Sequence, residues 1–433
     1  MSAVTISESD RTEPAFAPGL ALATWALFVG LALLLVAAGL FGTLLGVRSE
    51  LKGLPTLVSS LISASYYLGF LAGSRLTLDG LARVGHIRVY AALASILSAS
   101  MLAVGLVESP VSWAFLRFVT GLCLAGQYVV AESWLNVLAT NANRGRLLAI
   151  YMVVTTGAFG VGQLLLNAID VRVITGFAVC SVLTSLAVAP VALSEAASAP
   201  AIRHREHISL RELAAVVPTG VGSCWLVGVT HGALTGMSAI YATRVGLSIA
   251  HTSAFVMAPS LGAVLLQFPI SSASDDVDRR AVGLVASIGA MGAATLLLLG
   301  PASSPMALAL MVLLGGLSYP LYSIAGAYTN DWVDPEHGNA AASQLVTLYG
   351  LGAILGPFVA AGLMVVIGPS GFYWSLIILH GLIAAFLTYR MRAWRAPLVK
   401  RPWSEVSLPA RAFFIPATVV AMGRRAGRAK HAE

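Results

Sequence analysis

Ser274-Asp275-Asp276-Val277-Asp278-Arg279-Arg280 separates two long apolar runs, residues 249–273 and 281–300. A crossing of the hydrocarbon core of a bilayer takes roughly 20 apolar residues, and each run meets that length. Asp275 precedes the basic pair by four and five residues, a tight turn in which ion pairs can hold two helix ends together. The same alternation of apolar run and charged or Pro/Gly break recurs along the chain. It gives twelve candidate spans, near 20–47, 55–78, 87–107, 111–137, 146–168, 172–193, 214–243, 249–273, 281–300, 305–330, 340–367 and 371–390.

Composition agrees with this reading. Of 433 residues 58% are hydrophobic and 10% charged, and the mean hydropathy is +0.84, far from the balance of a soluble domain. The predicted class is an all-α polytopic membrane protein with twelve transmembrane helices in two six-helix repeats. A β-barrel would show short alternating segments instead, and no stretch between spans is long enough for a catalytic domain. The sequence has no nucleotide-binding P-loop, no H-E-x-x-H and no G-x-S-x-G, so neither an enzyme nor a cofactor is expected. Cys123, Cys180 and Cys224 lie inside apolar runs without metal-ligand spacing and read as small core residues, with no metal site.

The net charge of +7 belongs to the tail: residues 390–433 hold ten Lys/Arg and two Glu, which leaves −1 for the rest. The N-terminus has no basic region ahead of its first apolar run, which is therefore expected to stay as a span. With the N-terminus inside, the inner segments before the tail collect eleven Lys/Arg against four outside, Arg48, Lys52, Arg172 and Arg244. Both termini are expected in the cytoplasm of a bacterium, with the spans in the inner membrane. The expected organisation is a cytoplasmic segment 1–19, a six-helix bundle 20–193, a linker 194–213, a second bundle 214–391 and a basic tail 392–433. A shift of 194 residues superposes Gly121 on Gly315, Tyr128 on Tyr322, Asn136 on Asn330 and Gly162 on Gly356, a parallel duplication.

The 274–280 loop resembles the major facilitator superfamily signature G-x-x-x-D-R-x-G-R-R, matching at Asp275, Arg279 and Arg280. The loop between spans two and three, Arg83-Val84-Gly85-His86-Ile87-Arg88, keeps R-x-G but has Ala82 at the acid's place. Arg117-Phe118-Val119-Thr120-Gly121 is similar to the superfamily's R-x-x-x-G in span four. Gly350, Gly352 and Gly356-Pro357 resemble the Gly-Pro-rich signature that antiporters carry in span five, whereas span five here has Gly157, Gly160 and Gly162-Gln163 without proline. Glu132-Ser133-Trp134-Leu135-Asn136, followed by Arg144-Gly145-Arg146, resembles a branch of bacterial members whose substrates are mostly unassigned. The resemblance implies a secondary transporter that moves a small organic solute by rocking two halves, with spans one, four, seven and ten lining the cavity. Proton coupling is the expected energy source; a uniporter, or a carrier fold turned into a sensor signalling through its tail, is the alternative.

The polar residues inside spans supply the candidate site. Arg117 lies about six residues from the outer end of span four, and a central Arg costs about 2.5 to 3.5 kcal/mol to insert, so it either snorkels to the outer surface or clamps backbone carbonyls, or it faces a cavity and favours anionic or hydroxyl-rich substrates. At 100° per residue Arg117, Gly121, Leu124, Tyr128 and Glu132 form one stripe, and Gly315, Ser318 and Tyr322 its counterpart. His231, with Thr235 on its stripe, reads either as a neutral ring hydrogen-bonded to a helix carbonyl or as the candidate proton carrier, since histidine titrates near neutrality. Thr43, Gln127 and Tyr319 are further candidates to meet substrate. Glu132 is some 22 Å along the helix from Arg117, so it is expected to form a cytoplasmic latch with Arg83, Arg88, Arg144 or Arg146, beside the gate of Asp275, Arg279 and Arg280. The tail is expected on anionic lipid, and the protein to act as a monomer.

Overall fold

The computed structural model describes residues 18–138, 144–193, 208–334 and 337–393. The expected N-terminal segment, most of the linker and the basic tail therefore lie outside the described residues. The helices are α1 (Pro18–Leu51), α2 (Thr56–Val84), α3 (His86–Leu106), α4 (Pro110–Leu138), α5 (Arg144–Leu165), α6 (Thr175–Leu186) and α7 (Val188–Ala192), then α8 (Leu210–Val216), α9 (Pro218–Arg244), α10 (Ile249–Asp276), α11 (Arg279–Leu299), α12 (Pro305–Ser318), α13 (Pro320–Trp332), α14 (Gly338–Ile367) and α15 (Gly371–Ala393). Two of the crossings are broken, α6 into α7 and α12 into α13. With each taken as one and α8 set aside, the described residues make twelve crossings.

Local chemistry sets the ends. Ser248, Asp278 and Ser304 each accept a backbone N–H of the first turn of α10, α11 and α12, the usual satisfaction of a helix start. Pro320 lacks an N–H and opens α13 one residue after the break at Tyr319. One part of the expected linker is helical: Ser209 and Glu212 form a reciprocal capping box that starts α8. From α8 the chain bends by 116° into α9.

The duplication is visible in helix packing. A Cβ on Gly39 would overlap the carbonyl oxygen of Phe159, and one on Gly232 that of Ala353. Gly69 stands against the Phe118 carbonyl as Gly262 does against that of Val312, and Gly162 against Val36 as Gly356 does against Val229. Every member of these pairs is displaced by 193 or 194 residues. Thus α1 meets α5 as α9 meets α14, and α2 meets α4 as α10 meets α12, each through backbone contact that only a missing side chain permits. Gly157 and Gly160 of span five take no part in such a seam: nothing lies near a Cβ at Gly157, and only the Met257 side chain near Gly160.

One face of the bundle carries the start of α1 and the end of α15 and is called here the terminal face; the opposite face is distal. The repeats touch through α1 with α9, α2 with α9 and α14, and α5 with α10. Among the described residues α4 and α5 make no extensive contact with α13 or α14, so the halves diverge on that side toward the terminal face.

Candidate functional site

Between the repeats lies a cavity of about 1080 Å³ of non-atom space, counting the solvent at its mouth. It is walled by α1 to α5 of the first repeat, α3 through Leu97 and Met101, and by α9, α10 and Tyr319 of the second. On α1 the lining runs from Ala38 to Ser49, about 17 Å of depth. The floor of that depth, toward the distal face, is closed by an ion pair between the repeats. Arg244 at the end of α9 donates from Nε and Nη2 to the two oxygens of Glu50 at the end of α1, both at 2.7 Å, and from Nη1 to Thr56 Oγ1 at 2.6 Å. Beside it Lys52 Nζ reaches Glu108 at 2.6 Å, which holds the Glu108 carboxyl below the usual carboxylate range.

Arg117 is the one formally charged residue in the cavity lining. Its Cζ is 4.4 Å from the ring centroid of Tyr66 and 5.4 Å from that of Phe41. Its Nε is shielded from solvent with no hydrogen-bond partner, and among the described residues no carboxylate pairs with it. Two aromatic faces at a desolvated site contribute about 2 kcal/mol or more, against an insertion cost of about 2.5 to 3.5 kcal/mol. The rings therefore carry the charge but leave its N–H donors unused. Two further buried polar atoms on the cavity wall, Ser59 Oγ and Gln163 Oε1, also have no partner.

Thr43, Thr235 and Tyr319 line the same cavity. Thr43 donates to the carbonyl of Gly39 at 3.1 Å. Thr235 donates to the carbonyl of His231 at 2.7 Å, so the hydroxyl of Tyr67 from the other repeat is the donor to Thr235 Oγ1. Tyr319 covers His231, their rings 4.6 Å apart, and His231 itself stands behind that wall, buried. A carbonyl only accepts, so His231 Nε2 donates to Ser318 O at 3.1 Å and Nδ1 accepts from the Tyr349 hydroxyl at 3.1 Å. By the same argument His380 Nδ1 donates to Leu376 O at 2.8 Å and Nε2 accepts from Ser318 Oγ at 3.0 Å. Both imidazoles are satisfied in the neutral form, and two histidines meet on one serine at the break in span ten.

Three expected contacts fall elsewhere. Gln127 is buried on the far side of α4, donating to the Tyr90 carbonyl of α3 at 2.9 Å. Tyr128 packs on Phe70, 6.1 Å between centroids, and Tyr322 on Tyr349 at 5.1 Å; neither lines the cavity. Gln344 instead ties the entry of α8, donating to Ile208 O at 2.9 Å.

On the terminal face Arg279 is almost fully buried and donates to Asp331 Oδ2 at 2.8 Å, Asp275 Oδ1 at 2.9 Å and Ser274 Oγ at 3.0 Å. Arg280 pairs with Asp278 at 2.8 Å and donates to the carbonyl of Arg390 at 3.2 Å. In the first repeat His86, displaced by 193 from Arg279, bonds Ser133 Oγ at 2.9 Å, a neutral version of the same clamp where Ala82 removes the acid. Glu132 accepts from the Tyr151 hydroxyl at 3.4 Å. Arg83 and Arg88 are exposed and pair with no acid among the described residues, so in this conformation they do not form the expected latch. The side chains of Arg144 and Arg146 lie outside the described residues.

Sequence reading missed Tyr66, Tyr67, Ser59 and Gln163 in the cavity, and Glu50 and Arg244 in the ion pairs, whereas Asp331 at the end of span ten reads from the sequence as a cap or cytoplasmic gate. The Tyr66-Tyr67 doublet, within a segment otherwise built of small and aliphatic residues, was the available signal. Asp331 follows Asn330, one of the residues superposed by the repeat.

The family model for the Major Facilitator Superfamily matches residues 221–425. The uncharacterised MFS-type transporter YcaD of Salmonella typhi is 29% identical over 348 residues, covering 78% of this chain and 88% of that protein. The protein of the same name from Escherichia fergusonii is 28% identical over 344 residues, with the same coverage. Among solved structures, the nucleoside transporter NupG superposes with a TM-score of 0.67 at 13% identity, covering 85% of this chain and 98% of that one. A bacterial homologue of the human lysosomal transporter Spinster, inward-facing and occupied, superposes with a TM-score of 0.66 at 15% identity, covering 95% and 98%. At such identities the likeness to the structures is one of fold.

Proposed function

Because this chain belongs to the major facilitator superfamily, whose members here are multi-pass membrane transporters and not enzymes, we propose that it is a secondary active carrier of a small organic solute working by alternating access. The membrane is the bacterial inner membrane, with the terminal face in the cytoplasm. The repeats 20–193 and 214–391 are the rocking bodies and the cavity between them is the solute site. One observation carries this reading: a cavity walled by both repeats, closed by an ion pair at one end, holds a guanidinium with unused donors. The test is counterflow in proteoliposomes. Exchange of a bound solute that stops on Arg117→Gln supports it, and exchange unaffected by that change removes the cavity as the site.

The coupling ion is the proton, carried by His231. Tyr319, Tyr349, Ser318 and His380 face it, and none of these is an acid. When rocking withdraws the Tyr349 hydroxyl, Nδ1 becomes free to take a proton from water. His231→Gln then abolishes proton-linked movement and retains solute binding; an unchanged pH dependence removes His231 from the mechanism. The satisfied, neutral state of both imidazoles favours a second reading, a uniporter, for which exchange is insensitive to pH in the unmodified protein.

A further inference from the structure

We infer that the solute is a small organic monoanion with an apolar or aromatic body, its anionic group seated on Arg117. This rests on the carrier reading above and names the substrate class of its site. The charge of the wall is +1, from Arg117 alone, and no Asp, Glu, Lys or His shares the lining. Among the described residues nothing neutralises that charge: the guanidinium lies on the faces of Tyr66 and Phe41, with its Nε unpartnered and no acid paired with it. A planar fork of N–H donors fits a carboxylate, sulfonate or phosphonate in geometry as well as charge. A cation would be repelled in a site of low dielectric, and a neutral solute would leave the charge desolvated and uncompensated.

The rest of the wall sets the body. Five of the eleven hydroxyls on the wall donate to backbone, Thr43 to Gly39, Ser49 to Leu45, Ser63 to Gly236, Thr120 to Arg117 and Thr235 to His231, and Tyr67 donates to Thr235. A sugar-like solute needs many free donors and acceptors, and six of the eleven hydroxyls of this wall are spent on the protein itself. Toward the solute the wall presents the rings of Tyr66, Tyr67, Phe159 and Tyr319 and aliphatic side chains around one cation. The unpartnered Gln163 Oε1 and Ser59 Oγ add room for one donor group, such as a hydroxyl, on the body. A charged body of this kind also makes movement sensitive to the membrane potential, each elementary charge being worth about 2.3 kcal/mol per 100 mV. Export of the bare anion then runs downhill on an inside-negative potential, and import needs a compensating proton.

The experiment uses the purified full chain in nanodiscs and matched probes of one shape: benzoate, benzenesulfonate, benzamide and benzylammonium. Thermal stabilisation and titration give binding. Benzoate and benzenesulfonate are expected to bind at least about tenfold more tightly than benzamide, with benzylammonium inactive. Arg117→Gln is expected to erase the difference between benzoate and benzamide, and Arg117→Lys to retain part of it. Equal binding of benzamide or benzylammonium by the unmodified protein overturns the class without any variant, as does the absence of stabilisation by both anions. Unchanged anion binding in Arg117→Gln overturns the seat. Counterflow of the probes separates the two readings: anions that bind at Arg117 but do not exchange overturn the carrier, while exchange confined to uncharged or cationic solutes overturns the class and leaves the carrier standing.

Discussion

Arg279 is almost fully buried and Arg117 is half-buried on the cavity wall, and their partners differ. Arg279 reaches two carboxylates and a serine, so it pins the turn between α10 and α11 to the end of α13. Asp331→Ala would leave it buried with one partner lost, a cost of about 3 to 5 kcal/mol, read as a lower melting temperature in detergent. Arg117 has no acid to lose. Arg117→Gln removes a desolvated charge, so the melting temperature is expected to hold or rise while solute exchange disappears, the trade between stability and function that a working site makes. A fall in melting temperature as large as that of Asp331→Ala would place Arg117 among the structural residues.

At the scale of elements, packing depends on where side chains are missing. Gly39→Ala and Gly232→Ala would each force a Cβ into a carbonyl of the facing helix, and overpacking of this kind costs about 1 to 3 kcal/mol. Gly157→Ala, with open space around it, is expected to be neutral; melting curves of the three variants check the ranking. The start of α8 responds to pH. Glu212 accepts the backbone N–H of Ser209 at 2.8 Å, and that bond holds its carboxyl below the ordinary value of 4.5. A group depressed in the folded state contributes fully above its unfolded value and loses that contribution as the pH falls below it. Lower amide protection over 209–213, exchange being taken relative to the intrinsic rate at the same pH, is therefore expected in acid, and Glu212→Gln should already show it at neutral pH.

For the whole molecule the distal ion pair is the element most directly tied to rocking. Glu50 and Arg244 belong to different repeats, and their bond can exist only while the distal ends are together. Arg244→Gln removes both hydrogen bonds to Glu50 and that to Thr56, and is expected to shift the population toward distal opening. A cysteine placed at Ser63, which lines the cavity, should then react several-fold faster with an impermeant thiol reagent applied from the distal side, the gain following from loss of a charge-assisted bond of about 1.5 to 3 kcal/mol. An unchanged rate would mean that helix contact alone closes that face.

Hydropathy and loop chemistry are local properties, so the sequence by itself determined the membrane class, the twelve spans, the duplication and the charged turn at 274–280. It also placed Arg117, Thr43, Thr235 and Tyr319 as candidates, because a polar residue inside an apolar run stands out without any partner being known. The tertiary structure alone decided which of these meet. Tyr128 shares the stripe of Arg117 but lies eleven residues, about 16 Å, farther along α4 toward the terminal face, past the cavity lining. Gln127 is turned some 80° off that stripe and faces α3. The rotation and depth of a helix are set by its contacts with other helices, here the glycine seam between α2 and α4, and no periodicity within one span contains them. For the same reason Tyr66 and Tyr67 of α2, Glu50 of α1 and Arg244 of α9 acquire their meaning only once the repeats are packed together.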